Sequence, residues 1–443
     1  MKKITPDRLE QHLFIEHEKE GAYLTLPFSV PVDTESMTLT YKYVGYAEKD
    51  SVLENGDFVS RQRINIIDLG LLAPDGSQVG ASGSDKNEIY ISETYATPGY
   101  KACAVVPGEW RIIAGAYKVA QEGVDISYEI TFNLKHKRLY KGDLHVHTLA
   151  SDGIFTIAEL MGRAQKLGLD FIAITDHNHM LSADEIPQMK DFCVIPGMEY
   201  THYQGHANFL GVDKPYDDPY IANTFEDVRA RFKAARERGA LIVVNHPFQE
   251  GCDFQFDLNE LPFDCLEVWN GPMRGSNFKA IGLWQQYLIE GKRIPICGGS
   301  DFHRDNVPFV FMGGPTTCVY AMSSSSGDIL SALQQGHAYI SYASNGPALE
   351  LSAGEAIMGD SVKWSKKRKM RIVAENLLKG DVIRVVTADE SKPLLEASHH
   401  GRCDLSYTME SPGFARIEIL RVLLPGVPML PVLVSNPLYF QDS

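Results

Sequence analysis

The central part of the chain carries histidine and acidic side chains in short, repeated contexts. The first of these, GDLHVHT, places His145 and His147 two residues apart. On a β-strand, residues at this spacing project from the same face, so both imidazoles can reach one cation. Other such side chains follow short apolar stretches in AITDHN, PGMEYT, VVNHP and GGSDFHR, namely Asp176, His177, Glu199, His246, Asp301 and His303. Imidazole and carboxylate groups without thiolates favour zinc, iron or manganese over a structural zinc finger.

Each of these motifs is weak evidence when taken alone, because a histidine also serves as a partly buried polar residue. Their repetition at the ends of several predicted strands is stronger evidence. Unpaired polar groups at such positions cost about 1–3 kcal/mol each unless something binds them. The series therefore predicts a metal centre.

The elements that place these residues alternate between helix and strand from about Tyr140 to Ser344. Thr156 and Glu159 form a T-x-x-E capping box that begins a helix, and Gly168 ends it. The short apolar strand LDFIAIT follows, and the same alternation repeats up to IPICGG. This order predicts a parallel sheet or an α/β barrel, whose active site lies at the carboxyl ends of the strands.

Both flanks of this region have the composition of β-strands. From about Gly21 to Leu134, stretches rich in β-branched and aromatic residues are separated by Gly, Pro, Asp and Ser, which suits an antiparallel sandwich. Short strand-like segments return after Gly346. We therefore predict an α/β fold with three domains: an N-terminal β-sandwich (1–138), a barrel (139–345) and a small C-terminal β domain (346–443).

Composition and charge argue against two classes of partner. The 443 residues carry a formal net charge of −15, which opposes binding to a nucleic-acid backbone. We find no run of about 18 apolar residues, and the first 20 residues lack the apolar core of a secretory signal. The seven cysteines are scattered and form no C-x-x-C pair, as expected for reduced thiols. We expect a cytoplasmic protein with a small-molecule substrate and no nucleic-acid or membrane partner, and a homo-oligomer stays open.

The motif series GDLHVHTLASDG, AITDHN, PGMEYT…GHANFLG, VVNHP and GGSDFH resembles that of the PHP (polymerase and histidinol phosphatase) superfamily of metal-dependent hydrolases. Flanking segments such as IIDLGLL, ATPGYKACAVVPGEWRIIAGAYKV and EVWNG are similar to the carbaryl hydrolase-like (CehA/McbA-like) subgroup. The resemblance covers nearly the whole chain. It implies a distorted (β/α)7 barrel, flanked by the two β domains, that holds two to three divalent ions of zinc, manganese or iron.

The same resemblance implies a ligand set for these ions. It assigns three groups of ligands: His145, His147, Glu199 and Asp301 to the first ion; Glu199, as a bridge, with His206 and His246 to the second; and Asp152, His177 and His303 to the third. His202, in the same loop as His206, is an alternative to it. We expect Asp143 to orient one of the ligand histidines and His179 to line the substrate pocket.

No side-chain nucleophile is needed at such a centre, because the metals lower the pKa of a bound water and present hydroxide. Three cations suit a phosphate, whose charge is spread over three oxygens. Arg304 and Arg274 are candidates for bidentate contacts to it, although either could instead be a surface or structural arginine, and Asn270 is a further candidate for substrate binding. With Glu199, Asp301 and Arg304 as the catalytic residues, we predict hydrolysis of a small phosphomonoester or phosphodiester.

Two other functions stay open at this point. The same hydroxide could hydrolyse a carboxylic ester or a carbamate, as the name of the subgroup implies. Alternatively, the β domains could bind a glycan or a protein partner, with the barrel as a non-catalytic scaffold. The intact ligand set argues against the scaffold, because a decayed enzyme should lose ligands first.

Overall fold

The computed structural model describes residues 7–52, 59–212 and 219–442. The chain forms two compact units. The first comprises Met1–His136 with Gln188–Asp191, and the second comprises Lys137–Pro187 and Phe192–Ser443. Within the described ranges, no helix has both the length and the apolar character needed to cross a membrane.

The first unit is built from antiparallel sheets. Its strands are β1 (Asp7–Ile15), β2 (Tyr23–Val30), β3 (Thr34–Lys42), β4 (Tyr46–Val52), β5 (Val59–Arg63), β6 (Ile66–Leu72), β7 (Gln78–Ser82), β8 (Glu88–Ser92), β9 (Gly108–Lys118) and β10 (Val124–Leu134), with a 3-10 helix at His17–Lys19. One four-stranded sheet has the order β1-β10-β3-β8 and another has the order β2-β9-β6-β7, while β4 pairs with β5.

Alternating burial along the strands explains why these two four-stranded sheets form. On β10, Ile126, Tyr128 and Ile130 are buried, whereas the residues between them are more exposed. They join one apolar cluster with Trp110 and Ile112 of β9, which belongs to the other sheet. The strand character predicted for this region is thus present, and the sandwich packing and the boundary at residue 138 remain predictions.

The second unit is mixed. Its helices are α1 (Ile157–Lys166), α2 (Phe225–Glu237), α3 (Gly275–Ile289) and α4 (Ser326–Gln334), with a 3-10 helix at Ala183–Glu185. Its strands are β11 (Arg138–Val146), β12 (Phe171–Ile174), β13 (Cys193–Ile195), β14 (Gly197–His202), β15 (Gly205–Leu210), β16 (Leu241–Val244), β17 (Cys265–Asn270), β18 (Ile296–Gly299), β19 (Thr316–Ala321), β20 (Ala338–Ser341), β21 (Ala348–Ala353), β22 (Ala356–Ile357), β23 (Ser361–Lys363), β24 (Lys369–Leu377), β25 (Val382–Val386), β26 (Ser391–Glu396), β27 (Gly401–Thr408), β28 (Gly413–Arg421), β29 (Leu430–Ser435) and β30 (Leu438–Gln441).

Two sheets of the second unit position the side chains found in the sequence motifs. The five-stranded sheet has the order β14-β15-β16-β17-β18, in which β16, β17 and β18 are parallel. The larger sheet follows the order β13-β12-β11-β19-β20-β29-β28-β25-β26, and β23 and β30 attach to it. The strands β22-β21-β24-β27 form a separate sheet.

The mixed α/β class predicted from the sequence is confirmed. The described part of the unit is rich in strands and has four α-helices. Strands after Gly346 share a sheet with earlier ones, because β20 pairs with β29 in the register Tyr339 with Ser435. The (β/α)7 barrel and the domain boundary at 345 remain predictions.

The predicted capping box begins α1. Thr156 Oγ1 accepts a hydrogen bond from the Glu159 N–H, and the Glu159 carboxylate accepts one from the Thr156 N–H at 2.8 Å. These contacts satisfy backbone donors that the first turn leaves unpaired. The start of α1 is therefore encoded locally.

Asn436 joins the two main sheets of the second unit. Its buried amide accepts from the Ile296 N–H at 3.0 Å and donates to the Ile296 carbonyl at 3.2 Å and the Ala338 carbonyl at 2.9 Å. Ile296 begins β18 and Ala338 begins β20, so one side chain links strands of different sheets.

Replacing this link should destabilise the second unit. We expect Asn436→Ala to lower the free energy of unfolding by about 2–4 kcal/mol, because it leaves buried backbone groups without partners. Urea unfolding followed by circular dichroism measures the change. The exposed Asn223 supplies the control, Asn223→Ala, and equal losses in both variants would contradict the assigned role.

Candidate metal centre

Strand ends and one hairpin bring the predicted ligands together. His145 lies on β11 and His147 directly follows it, while Glu199 on β14 and His206 on β15 lie on the same face of their hairpin, where Glu199 pairs with Asn208 and Thr201 with His206. The remaining ligands follow the ends of strands or precede α1: Asp152, His177, His246, Asp301 and His303. The fold thus gathers at one place residues that are up to 158 positions apart in the chain, from His145 to His303.

Glu199 occupies the middle of the centre and is only 1% exposed. Five imidazole nitrogens lie within 3.5 Å of its carboxylate oxygens: His177 Nδ1 (2.9 Å), His206 Nδ1 (3.1 Å), His145 Nε2 (3.3 Å), His246 Nε2 (3.3 Å) and His147 Nε2 (3.5 Å). Three of these rings approach Oε1 and two approach Oε2. A carboxylate in this position can bridge two ions.

Two further carboxylates complete the cluster. Asp301 Oδ1 lies 3.1 Å from His147 Nε2 and 3.5 Å from His145 Nε2. Asp152 Oδ1 lies 3.1 Å from His303 Nε2 and 3.6 Å from His177 Nε2. Asp301 is therefore joined to the buried part of the cluster and Asp152 to its more exposed side.

All nine predicted ligands fall into four overlapping groups. Within each group the ligand atoms lie within 4.8 Å of one another: His145, His147 and Glu199; His145, His246 and Asp301; Glu199, His206 and His246; and His147, Asp152, His177 and His303. The last group contains His147 besides the three residues expected for a third ion. Which ligands share which ion stays a prediction.

Orphaned ring nitrogens show that the cluster fits metal ions. His145 Nε2 and both ring nitrogens of His147 are buried and have no hydrogen-bond partner among the described residues. Leaving such groups unpaired is costly, and divalent cations are suitable partners for imidazole nitrogens beside carboxylate oxygens. The donor set also lacks thiolates, as the sequence indicated.

Charge and burial compete at several of the predicted ligands. Burial opposes the charged form of His145, but Glu199, Asp301 and Glu267 outweigh it and raise its pKa well above the usual value. Burial likewise opposes charge on Glu199, yet His145 and its neighbours hold the Glu199 pKa well below its usual value. At His246 burial is again overcome, by Cys252 and Glu199, and the pKa rises to about 10. The buried carboxylates thus favour the charged forms of His145 and His246.

Glu267 orients His145 and was missed by the sequence reasoning. Its Oε1 lies 3.0 Å from His145 Nδ1, which leaves Nε2 directed at Glu199, and its Oε2 accepts the His246 N–H at 3.0 Å. Asn270 donates to the same oxygen at 3.2 Å. The signal in the sequence was an ionisable residue inside the apolar strand CLEVWN, which requires a buried partner.

Asn245 was also missed. It is buried directly before His246, and its amide donates to Glu199 Oε1 at 2.9 Å and to Asn208 Oδ1 at 2.8 Å. It thus holds the central carboxylate in place without using an imidazole.

Asp143 has a different task from the expected one. Among the described residues it makes no hydrogen bond to an imidazole, and it instead accepts the backbone N–H groups of His145 (3.2 Å), Ser300 (2.9 Å) and Gly313 (2.7 Å). Burial raises its pKa to about 6, against the effect of these hydrogen bonds. Asp143 therefore fixes the backbone around the centre, and Glu267 orients the ring of His145.

Asp176 secures the loop that carries Asp152. It accepts hydrogen bonds from the Thr148 N–H at 2.7 Å, the Thr148 hydroxyl at 2.6 Å and the Ser151 hydroxyl at 2.6 Å. These contacts occupy the Asp176 carboxylate, which agrees with its absence from the predicted ligands.

Two of the predicted ligands lie on strained backbone. His246 and Asp301 have φ values of 24° and 54°, in the left-handed region that side chains rarely adopt. Close packing adds a further constraint at Gly299, where a Cβ atom would lie 2.3 Å from His145 Cβ. Such strain persists only where the surrounding structure compensates for it, and it is common at functional sites.

The predicted substrate-binding residues do not all lie beside the metal centre. Arg304 donates to the Asp152 carbonyl at 3.1 Å, so it lies beside the more exposed ligands. Arg274 donates to Asn270 Oδ1 at 2.8 Å, and Asn270 Nδ2 lies 3.5 Å from Asp301 Oδ2. His179 is outside the metal groups and lines a separate cavity.

His202 does not replace His206. Its Nε2 lies 3.2 Å from the Ala222 carbonyl oxygen, and its Nδ1 accepts the Gln204 N–H at 3.1 Å. His202 belongs to none of the groups that could hold a metal among the described residues.

Residues 143–244 match the family model of the PHP domain. The match supports the PHP superfamily and a metal-dependent hydrolase. It spans Asp143 and six of the predicted ligands, namely His145, His147, Asp152, His177, Glu199 and His206. The carbaryl hydrolase-like subgroup is not resolved by it.

Two curated relatives match parts of the chain. An uncharacterised protein of Methanocaldococcus jannaschii is 27% identical over 158 residues, which are 32% of this chain and 89% of that protein. The DNA polymerase/3'-5' exonuclease PolX of Bacillus subtilis is 35% identical over 65 residues, which are 14% of this chain and 11% of that protein.

Solved structures give weaker likenesses. A Bacteroides vulgatus two-domain protein containing a predicted PHP-like metal-dependent phosphoesterase is 16% identical, with a TM-score of 0.40, and the match covers 67% of this chain and 95% of that one. A Chromobacterium violaceum amidohydrolase with bound sulfate is 15% identical, with a TM-score of 0.27 and coverage of 38% and 89%. Likenesses at this level carry no inference about this chain.

Removing the charge of Glu267 should weaken metal binding. We expect Glu267→Gln to lower the affinity for Zn²⁺ or Mn²⁺ by about 10–100-fold, because partners that orient a ligand histidine contribute that much. A competition titration against a chelating dye measures the affinity. The exposed Glu260, changed to Gln, is the matched control, and an affinity equal to that control would refute the role of Glu267.

Metal binding should displace protons. A titration at pH 7 should give at least two ions per chain with proton release, because His145 and His246 have raised pKa values and must become neutral to bind. Affinity should therefore fall as the pH is lowered. Calorimetry in two buffers of different ionisation enthalpy counts both ions and protons. Fewer than one ion per chain, or heats independent of the buffer, would contradict this prediction.

Proposed function

We propose that the chain is a metal-dependent hydrolase that cleaves a small phosphomonoester or phosphodiester. The PHP domain match and the nine clustered ligands support the hydrolase part of this proposal. The assignment of the substrate as a phosphate ester is more specific, and it depends on the charges around the centre.

The observation that carries the phosphate assignment is the group His147, Asp152, His177 and His303 beside Arg304. It extends the cluster beyond the ligands gathered on Glu199, towards the more exposed side. An acyl transfer needs one polarised oxygen, whereas a phosphoryl group spreads negative charge over three. A third cation with a neighbouring guanidinium matches the phosphoryl group better.

The residues of the chain have distinct tasks in this mechanism. Bound metals would lower the pKa of water and neutralise charge on the attacked group, which is the chemistry they supply in such centres. Glu199 and Asp301 hold the ligand set together from its buried side, and Glu267 keeps His145 in one orientation. Arg304 lies where a guanidinium can contact substrate oxygens near Asp152.

Arg274 extends this arrangement on the other side of the centre. It donates to Asn270 and to Gln249, and Asn270 in turn lies beside Asp301 and Glu267. We infer that Asn270 contacts the substrate and that Arg274 positions it. Both arginines are exposed and free of carboxylate partners within the described ranges, which suits recognition of an anion.

A nucleic-acid substrate is not part of the proposal. The Bacillus subtilis relative is a polymerase and exonuclease by name, but the match spans 11% of its length. The net charge of −15 opposes a polyanion, whereas metal ions can still attract a small anion locally. We therefore propose a small-molecule substrate in the cytoplasm.

A carboxylic ester or carbamate is the alternative substrate class. The resemblance to the carbaryl hydrolase-like subgroup favours it, and the same metal centre could serve either reaction. We place the chain in that subgroup as part of the proposal. The non-catalytic scaffold is the weaker alternative, since no predicted ligand is missing from the cluster.

The substrate class can be tested by removing positive charge. Arg304→Ala and His177→Ala should each lower kcat/KM for a phosphomonoester by at least about tenfold, or roughly 1.4 kcal/mol of transition-state stabilisation, and should affect an aryl ester less. Arg402→Ala, in the exposed pair with Glu375, is the control. If wild-type protein cleaves the aryl ester far better and both variants keep that activity, the carboxylic-ester alternative replaces the proposal.

A further inference from the structure

A cavity of about 350 Å³ lies on the face of β14 that is turned away from the metal centre. Along this strand Glu199 contacts the ligand histidines, and its neighbours Met198 and Tyr200 line the cavity. Side chains alternate between the two faces of a strand, so the cavity and the metals are separated by the sheet. Arg231 and Ala234 of α2 line it from the other side.

Two buried donor groups of the residues that line this cavity, the Tyr200 hydroxyl and the Arg231 Nε, have no hydrogen-bond partner among the described residues. Tyr200 is 2% exposed, and its hydroxyl has no hydrogen-bond partner in the described part of the chain. Within the same ranges the buried Nε of Arg231 also has none, although its Nη1 donates to the Pro219 carbonyl at 2.9 Å. Burial raises the pKa of Tyr200 to about 12, so its hydroxyl is a neutral donor. Native structures rarely leave such groups unpaired.

Asp227, one turn before Arg231 on α2, interacts with the charge of Arg231 but is not part of the cavity lining, and the acidic residue that does line the cavity is not paired with either donor. Glu185 lines the cavity, but its carboxylate accepts the Ser182 N–H at 3.1 Å and caps the 3-10 helix there. Most of the remaining wall is apolar and includes Met180, Met198 and Phe209. The space therefore combines an apolar body with two donors, one of them cationic.

We propose that this cavity is a second ligand site, for a small amphipathic anion such as an aromatic carboxylate. The carboxylate would accept hydrogen bonds from Arg231 and Tyr200, and the ring would pack against Met198 and Phe209. A volume of about 350 Å³ is at the small end of ligand pockets, which range over roughly 300–1,000 Å³. The ligand is therefore smaller than a nucleotide or a lipid.

The site is joined to the metal centre through one turn. Asn178 lines the cavity directly after His177, and its side chain makes two hydrogen bonds of 2.9 Å with the backbone of Thr201. The ligand thus contacts the same turn and strand that carry His177 and Glu199. The proposal does not depend on which ester the centre cleaves.

The test is a calorimetric titration of the metal-loaded chain with 3-phenylpropionate. We expect one saturable site per chain, and 3-phenyl-1-propanol, which has the same shape without the charge, should bind at least about tenfold more weakly. Arg231→Met should weaken 3-phenylpropionate binding by at least about tenfold for the same reason. Arg229→Met, on the same helix but outside the cavity, should leave it unchanged.

A second variant tests the site independently, in case Arg231→Met fails to fold. Ala234→Leu fills the cavity without removing a charge and should also weaken binding at least about tenfold, while thermal unfolding reports whether each variant is folded. Carboxylate binding to the metals would persist in both variants. Binding that is absent at millimolar probe, equal in Arg231→Met and Arg229→Met, or equally strong for the alcohol overturns the proposal.

Discussion

The negative charge of Glu199 is the constraint on which the second unit depends. A carboxylate that is 1% exposed costs several kcal/mol unless cations or protonated partners surround it. Five imidazoles within 3.5 Å serve as those partners, and they come from β11, the turn after β12, β15 and the end of β16. Strands of two sheets must therefore end at one point, and the link through Asn436 helps to hold those sheets together.

The backbone around this carboxylate is fixed by other carboxylates. Asp143 accepts three backbone N–H groups, and Glu267 accepts the N–H of His246, whose φ lies in the left-handed region. Asp301 shares that strained conformation, and its N–H donates to the His145 carbonyl. These hydrogen bonds compensate for the backbone strain at the two predicted ligands.

The sequence indicated which side chains the fold brings together, because their chemistry is local and their positions follow strand ends, while their role as ligands stays a prediction. It also predicted the start of α1, since the Thr156–Glu159 capping box involves neighbours only. Glu267 was missed because its partners, His145 and His246, are distant in the chain. The sequence left open whether His202 or His206 is the ligand, but the alternation of side chains along β14 favours His206. Glu199 and His202 are three residues apart and so lie on opposite faces of the strand. His206 pairs with Thr201, which lies on the same face as Glu199. The shared sheet through β20 and β29 depends on long-range pairing that composition does not reveal.

The number of bound ions determines what the centre attracts. Its ligand carboxylates, Asp152, Glu199 and Asp301, together carry three negative charges when the imidazoles are neutral. Two divalent ions would bring four positive charges and leave a net of +1, or none once the buried Glu267 is included. Three divalent ions would bring six positive charges, which leaves a net charge of +3, or +2 once Glu267 is included. Arg304 adds a further positive charge on the exposed side. The three-ion charge is the better match for a phosphate ester, so we expect occupancy of the group around Asp152 and His303 to favour the phosphate over the carboxylic-ester reaction.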